Sequence, residues 1–195
     1  MKKEDTAMRN RTIVAIALAL AAALLLAGIV AAAPAPGKPA LITSAGQSTD
    51  GLILRTILTD RATGESVPFE KLATPENLQG VRTLIVAVGL SSKGLGAAGV
   101  NQDQERERVA NLLDAAKAND VYVILVHIGG TARRGAGSDE FSSMVAEYAH
   151  QIFVVKAGND DGFFNKLAEA RGIPVTEVND RTALGPILTE LLAGN

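Results

Sequence analysis

A chain of 195 residues, 47% hydrophobic and 21% charged, can bury one substantial core and is too apolar to stay disordered. Its net charge is −2, and setting residues 1–33 aside leaves −4, so no basic field remains to hold a nucleic-acid backbone. The lack of cysteine excludes disulfides, thiolate zinc, iron–sulfur clusters and a Cys nucleophile, and an aromatic content of 4% with no Trp leaves few platforms for stacking a base or a flavin.

Lys2, Lys3, Arg9 and Arg11 precede an uncharged apolar run from Ile13 to Ala33. About 20 helical residues of this kind cross a bilayer, and the leading cations keep the N-terminus cytoplasmic. The expectation is a signal peptide or a retained transmembrane anchor over 1–33. The protein is then exported, being periplasmic, extracellular or held at the outer face of the cytoplasmic membrane. The small residues of IVAAAPAPG suit cleavage, whereas the length of the run suits an anchor. Residues 34–39, PAPGKP, form a linker stiffened by proline, and 40–195 is expected to be a single α/β domain.

Strand and helix signals alternate through that domain. ALITS (40–44) is a short apolar run, followed by a helical face over 52–62 with N-cap candidates at Ser48, Thr49 and Asp50. SVPFE (66–70) is a weak strand that Pro68 confines to an edge. Thr74-Pro75 opens a short helix. TLIVAVG (83–89) and VYVILVHIGG (121–130) are apolar without alternation, as strands covered on both faces must be. Between them lies a helix over 101–120, whose charges at 103–108 are expected to be a solvated first turn. Helices over 139–151, 161–172 and 180–194 and strands over 152–158 and 173–178 continue the pattern. The expected fold is a doubly wound, mostly parallel sheet of five to six strands in the flavodoxin-like order 2-1-3-4-5-6, with helices on both faces.

In such a sheet ligands sit beyond the C-terminal strand ends, at the switch point. The two loops there are SAGQSTD (44–50) and GLSSKGLGAAG (89–99), both rich in Gly and Ser and both leading into helices. Glycine lets the backbone approach a ligand closely, and the first N–H groups of a helix favour an anion. Lys93 adds a positive charge. HIGGTARRGAGSDE brings His127, Arg133 and Arg134 to the same edge; AGNDDG brings Asn159, Asp160 and Asp161; the last strand brings Asn179, Asp180 and Arg181. The expected ligand is a small anion, such as a carboxylate or phosphate metabolite. Ser44, Gly46, Gln47, Ser48, Ser91, Ser92, Lys93, Gly94 and Gly96 are expected to hold it, with His127 and Arg133 closing the site. A binding domain of this kind suits an accessory to transport or sensing, and its partners would include a transporter or a second copy.

Gly94, Gly96 and Gly99 match G-x-G-x-x-G, but they follow an internal strand and no acidic residue ends the next one, so no dinucleotide is expected. TSAGQS (43–48) loosely resembles the phosphate loop of flavodoxins; the absence of aromatic residues from 89–99 and 127–138 argues against a flavin. With only His127 and His150 present, a histidine-rich metal centre is excluded, and neither cofactor nor metal is expected. Two other classes remain open. One is a hydrolase using Ser44, Ser48, Ser91 or Ser92 with His127 as base and Asp160 as orienter, although G-x-S-x-G is absent. The other is an assembly subunit of the cell envelope whose loops contact neighbouring chains. Taken together, KPALITSAGQS, LIVAVGLSSKGLGAAG, HIGGTARRG and AGNDDGFF resemble an uncharacterised family of bacterial exported or membrane-anchored proteins, over roughly residues 38–192. The resemblance implies an exported α/β domain and carries no established activity.

Overall fold

The computed structural model describes residues 33–60 and 62–194. The leader expected over 1–33 thus lies outside the described residues, Ala33 excepted. Among the described residues no helix is long and apolar enough to cross a membrane.

Five parallel strands form the sheet: β1 (Ala40–Ala45), β2 (Thr83–Val88), β3 (Tyr122–His127), β4 (Gln151–Val155) and β5 (Val175–Val178). They lie side by side in chain order. Among the described residues six α-helices surround them: α1 (Asp50–Ile57), α2 (Ser92–Ala98), α3 (Gln102–Ala118), α4 (Ala136–Ala146), α5 (Phe163–Arg171) and α6 (Leu184–Ala193).

Alternation along each strand divides the core in two. Leu41, Leu84, Val86, Val123, Leu125 and Ile152 face α3, α4 and α5, meeting Val109, Leu112, Phe141 and Phe164. Their neighbours Ile42, Ile85, Ile124, Val126 and Phe153 face α1 and α6, meeting Leu54, Leu184 and Leu188. Burial on both faces is why these strands lack polar alternation.

The expected order 2-1-3-4-5-6 is corrected in one respect. The segment 66–70 is not a strand, and the order of the five strands is sequential. Ile42 N–H donates to Pro68 O at 2.8 Å and Glu70 N–H donates to Ile42 O at 2.9 Å, which makes a single parallel bridge between Ile42 and Phe69. Pro68 has no N–H with which to extend the ladder. The bridge lies on the outer edge of β1, so the chain still leaves β1 through α1 on one face and returns to β2. It then runs through α3, α4 and α5 on the other face. With right-handed crossovers, this change of face puts the reversal of winding between β1 and β2. The expected linker is pinned at its end: Gly37 N–H donates to Thr83 Oγ1 at 2.9 Å, and the same hydroxyl donates to Gly37 O at 2.7 Å.

Candidate functional site

In-register pairing aligns the C-terminal strand ends: Ala45 lies opposite Val88, and Ala87 opposite Val126. The loops beginning at Gly46, Gly89 and Ile128 therefore leave the sheet at one level and form one mouth.

The first loop is tightly held. Gly46 has φ +93°, and a Cβ on it would lie 2.6 Å from Gly89 O, so only glycine fits. Gln47 follows at φ +61°, a conformation unusual for a residue with a side chain. What imposes it is buried. Glu105 Oε1 accepts from Gly46 N–H at 3.0 Å and from Gln47 Nε2 at 2.9 Å. Arg108 neutralises that carboxylate at 2.8 Å and donates to Ser44 O and Ala73 O. The charged stretch 103–108 is thus not wholly a solvated turn. Glu105 is fully buried because it occupies the stripe that continues through Val109, Leu112 and Ala116.

The loop ends at Asp50, the first residue of α1. Ser48 Oγ accepts from Asp50 N–H at 3.3 Å, and Ser44 Oγ donates to Ser48 O at 3.4 Å. Asp50 is 3% exposed, and its Oδ2 has no hydrogen-bond partner among the described residues. A Cβ added at Gly89 would come 3.4 Å from that oxygen, and one added at Gly129 would come 3.2 Å from it. The carboxylate therefore lies against backbone at the ends of β2 and β3. Burial pushes its pKa above 3.8, against the opposing charges of Arg133, His127 and Arg181 and the nearby Ser48 hydroxyl.

His127, at the end of β3, is fully buried and stacks on Phe164 with ring centroids 5.1 Å apart. Its Nδ1 faces Val88 O at 3.3 Å and its Nε2 faces Gly130 O at 3.2 Å. Burial lowers its pKa below 6.5, although both carbonyls and Asp50 favour the charged form. Both ring nitrogens are turned to backbone carbonyls, which is not the geometry of a base aimed at a serine.

The adjacent arginines differ. Arg134 is consumed by structure: it pairs with Asp139 and Asp161, donates to Gly158 O and lies 4.5 Å over the Phe163 ring. Its guanidinium holds the Asp161 carboxyl down at about 2. Arg133 makes no ion pair among the described residues. Its stem folds across Gly129, where a Cβ would meet Arg133 Cγ at 2.0 Å.

The second expected loop forms a helix instead. Gly94 and Gly96 lie inside α2, and Gly99 is its left-handed C-cap. Ser91 is the N-cap, its Oγ accepting from Gly94 N–H at 3.0 Å. Gly94 is required because a Cβ would meet Gln47 O at 1.9 Å, whereas nothing lies within 4 Å of one on Gly96. The spacing thus records helix-to-loop packing rather than a phosphate cradle. Ser92, Lys93 and Gly96 are exposed on α2.

Among the expected residues, Ser44, Gly46, Gln47, Ser48, His127 and Arg133 therefore gather around the mouth. Asp50, Gly89 and Gly129 complete it; sequence reasoning read Asp50 only as a cap candidate, since an acidic residue at a helix start ordinarily is one. A groove of about 730 Å³ lies elsewhere, between Pro39, Ile57, Val67 and Pro186, but no unpaired buried polar atom lines it.

No curated protein and no solved structure gives a significant match to this chain. A family model does match, over residues 37–192, from the pinned end of the linker to the last turn of α6. The chain belongs to the family described as Domain of unknown function (DUF6305).

Proposed function

We propose that this chain is an exported, non-catalytic binding domain that seats a small anionic ligand at the mouth formed by the ends of β1, β2 and β3. The observation that carries the reading is Arg133, which makes no ion pair among the described residues and lies at the switch point with Arg181, both close enough to act on the charge of the buried Asp50 carboxylate. A guanidinium without an ion-pair partner among the described residues, beside the start of a helix, is a place where the anionic group of a ligand gains charge-assisted hydrogen bonds. The first turn of α1, with Gly51 and Leu52 N–H beyond the reach of its own helix bonds, favours an anion at the helix start. Export rests on the basic residues and apolar run of the leader, and a role beside a transporter or sensor suits a domain held outside the membrane. A hydrolase at this mouth finds less support, because His127 already faces two carbonyls.

The test is thermal unfolding of the full chain in mild detergent against a panel of carboxylates, phosphates and neutral sugars. Ligand at 100 times its dissociation constant stabilises by about 2.7 kcal/mol, which shifts the midpoint by roughly 5–10 °C at this size. A shift confined to anions and lost in Arg133→Ala supports the reading; no shift from any anion overturns it.

A further inference from the structure

We propose that the ligand of this site is a zwitterion of the α-amino-acid type, its ammonium donating to Asp50 Oδ2 and its carboxylate lying between Arg133 and Arg181. The inference rests on the anion-binding reading above and narrows it to one class.

The argument starts from what a simple anion would meet. It would approach the two arginines but would also approach the Asp50 carboxylate, which is buried and already short of a donor. Two like charges brought together in a desolvated site repel strongly. A ligand with a cationic donor next to its anionic group removes the conflict, since the ammonium supplies both the missing hydrogen bond and the opposite charge. The surroundings of Oδ2 fit a small donor. Gly89 and Gly129 present no side chain beside it; a Cβ at Gly129 would crowd it at 3.2 Å, whereas one at Gly89 would reach it at contact distance, 3.4 Å.

Arg133 supplies the means of access. Its stem lies over Gly129, at the same spot that Asp50 Oδ2 approaches, so the two side chains come together there. Its guanidinium has no ion-pair partner among the described residues to hold it there, in contrast to Arg134 next to it, which is anchored on Asp139 and Asp161. Gly130 at φ +59° and Gly135 at φ +136° bracket the segment. Rotation of the Arg133 side chain moves its stem away from Oδ2 and leaves its cation free for the ligand carboxylate. Arg181, exposed just after β5, is near enough for its charge to act on Asp50.

Matched pairs that differ only in the ammonium test this on the full chain in mild detergent: L-alanine against propionate, L-aspartate against succinate, and L-glutamate against glutarate. The expected result is a midpoint shift for at least one amino acid, at least tenfold weaker apparent affinity for its deamino partner, and loss of the response in both Asp50→Asn and Arg133→Ala. Equal responses within each pair, or a response that survives Asp50→Asn, overturn the zwitterion while leaving an anion site standing. A flat response to all six compounds and to inorganic phosphate overturns both. Circular dichroism of the two variants separates loss of binding from loss of fold, and a variant that fails to fold is replaced by Arg181→Ala, for which the same outcomes decide.

Discussion

Replacing Glu105 by leucine tests whether the buried ion pair on α3 holds the first loop of the mouth. Glu105 accepts four hydrogen bonds, from Gly46 N–H, Gln47 Nε2 and two nitrogens of Arg108. The single change leaves the Arg108 guanidinium, whose side chain is 12% exposed, without its counter-charge. Removing one partner of such a pair costs about 3–5 kcal/mol, a large part of the stability of an ordinary domain. At about 2–4 °C per kcal/mol for this size, the midpoint falls by about 6–20 °C. The double variant Glu105→Leu/Arg108→Met removes both charges and keeps the volume, so most of that loss returns. Recovery is incomplete, because Gly46 N–H and Gln47 Nε2 still lack an acceptor, at a cost of about 1–3 kcal/mol. Urea unfolding of wild type, single and double variants measures all three. A single variant within about 1 kcal/mol of wild type, or a double variant no more stable than the single, would refute the reasoning.

The glycine spacing gives a paired prediction: Gly94→Ala destabilises by more than about 2 kcal/mol through the clash with Gln47 O, while Gly96→Ala is neutral or stabilises by up to about 1 kcal/mol, as read from denaturant midpoints. Asp50→Asn is expected to raise stability near pH 7. Because burial puts the Asp50 pKa above 3.8, the folded state holds its proton more tightly, and the wild type loses stability as pH rises from 3.8 through that raised value. The advantage of the variant should therefore grow over this interval and then level off, and a gap independent of pH would show that Asp50 is satisfied. For His127 the sign is opposite. Its pKa is held below 6.5, so the unfolded chain binds the proton more readily, and stability is complete above pH 6.5 and falls as pH drops below it. His127→Gln should flatten this slope in part, the remainder belonging to His150, which burial also holds below 6.5.

Much of the fold was legible because burial is periodic along the chain. Runs such as TLIVAVG and VYVILVHI have no polar alternation, and only a parallel sheet covered on both faces explains that. The boundaries were less clear: α1 begins at Asp50 and ends at Ile57, and β3 ends at His127 rather than Gly130. Pro68 announced an edge, but that it reduces the segment to one bridge depends on which N–H groups face β1. Which residues gather at the strand ends was legible in part. Gly46, Ser48, His127 and Arg133 were placed by topology, because strand ends and loops follow from element order.

By itself, the sequence determined an α/β domain with two-sided strands, its mouth at the ends of β1 and β2, and the chemistry unavailable to a chain without cysteine. Tertiary structure alone decided which polar groups are paired. Glu105 and Arg108 read as surface charge until Gly46, 59 residues away from Glu105, is placed against them. Asp50 read as a helix cap until Gly89 and Gly129 are placed beside its oxygen, which has no partner among the described residues, and Gly94 read as part of an anion-holding loop until Gln47 O is set beside it. Periodicity is local, since each turn or pleat repeats it within a few residues. The satisfaction of a polar group is not, since its partner can come from any part of the chain that packing brings within 3 Å.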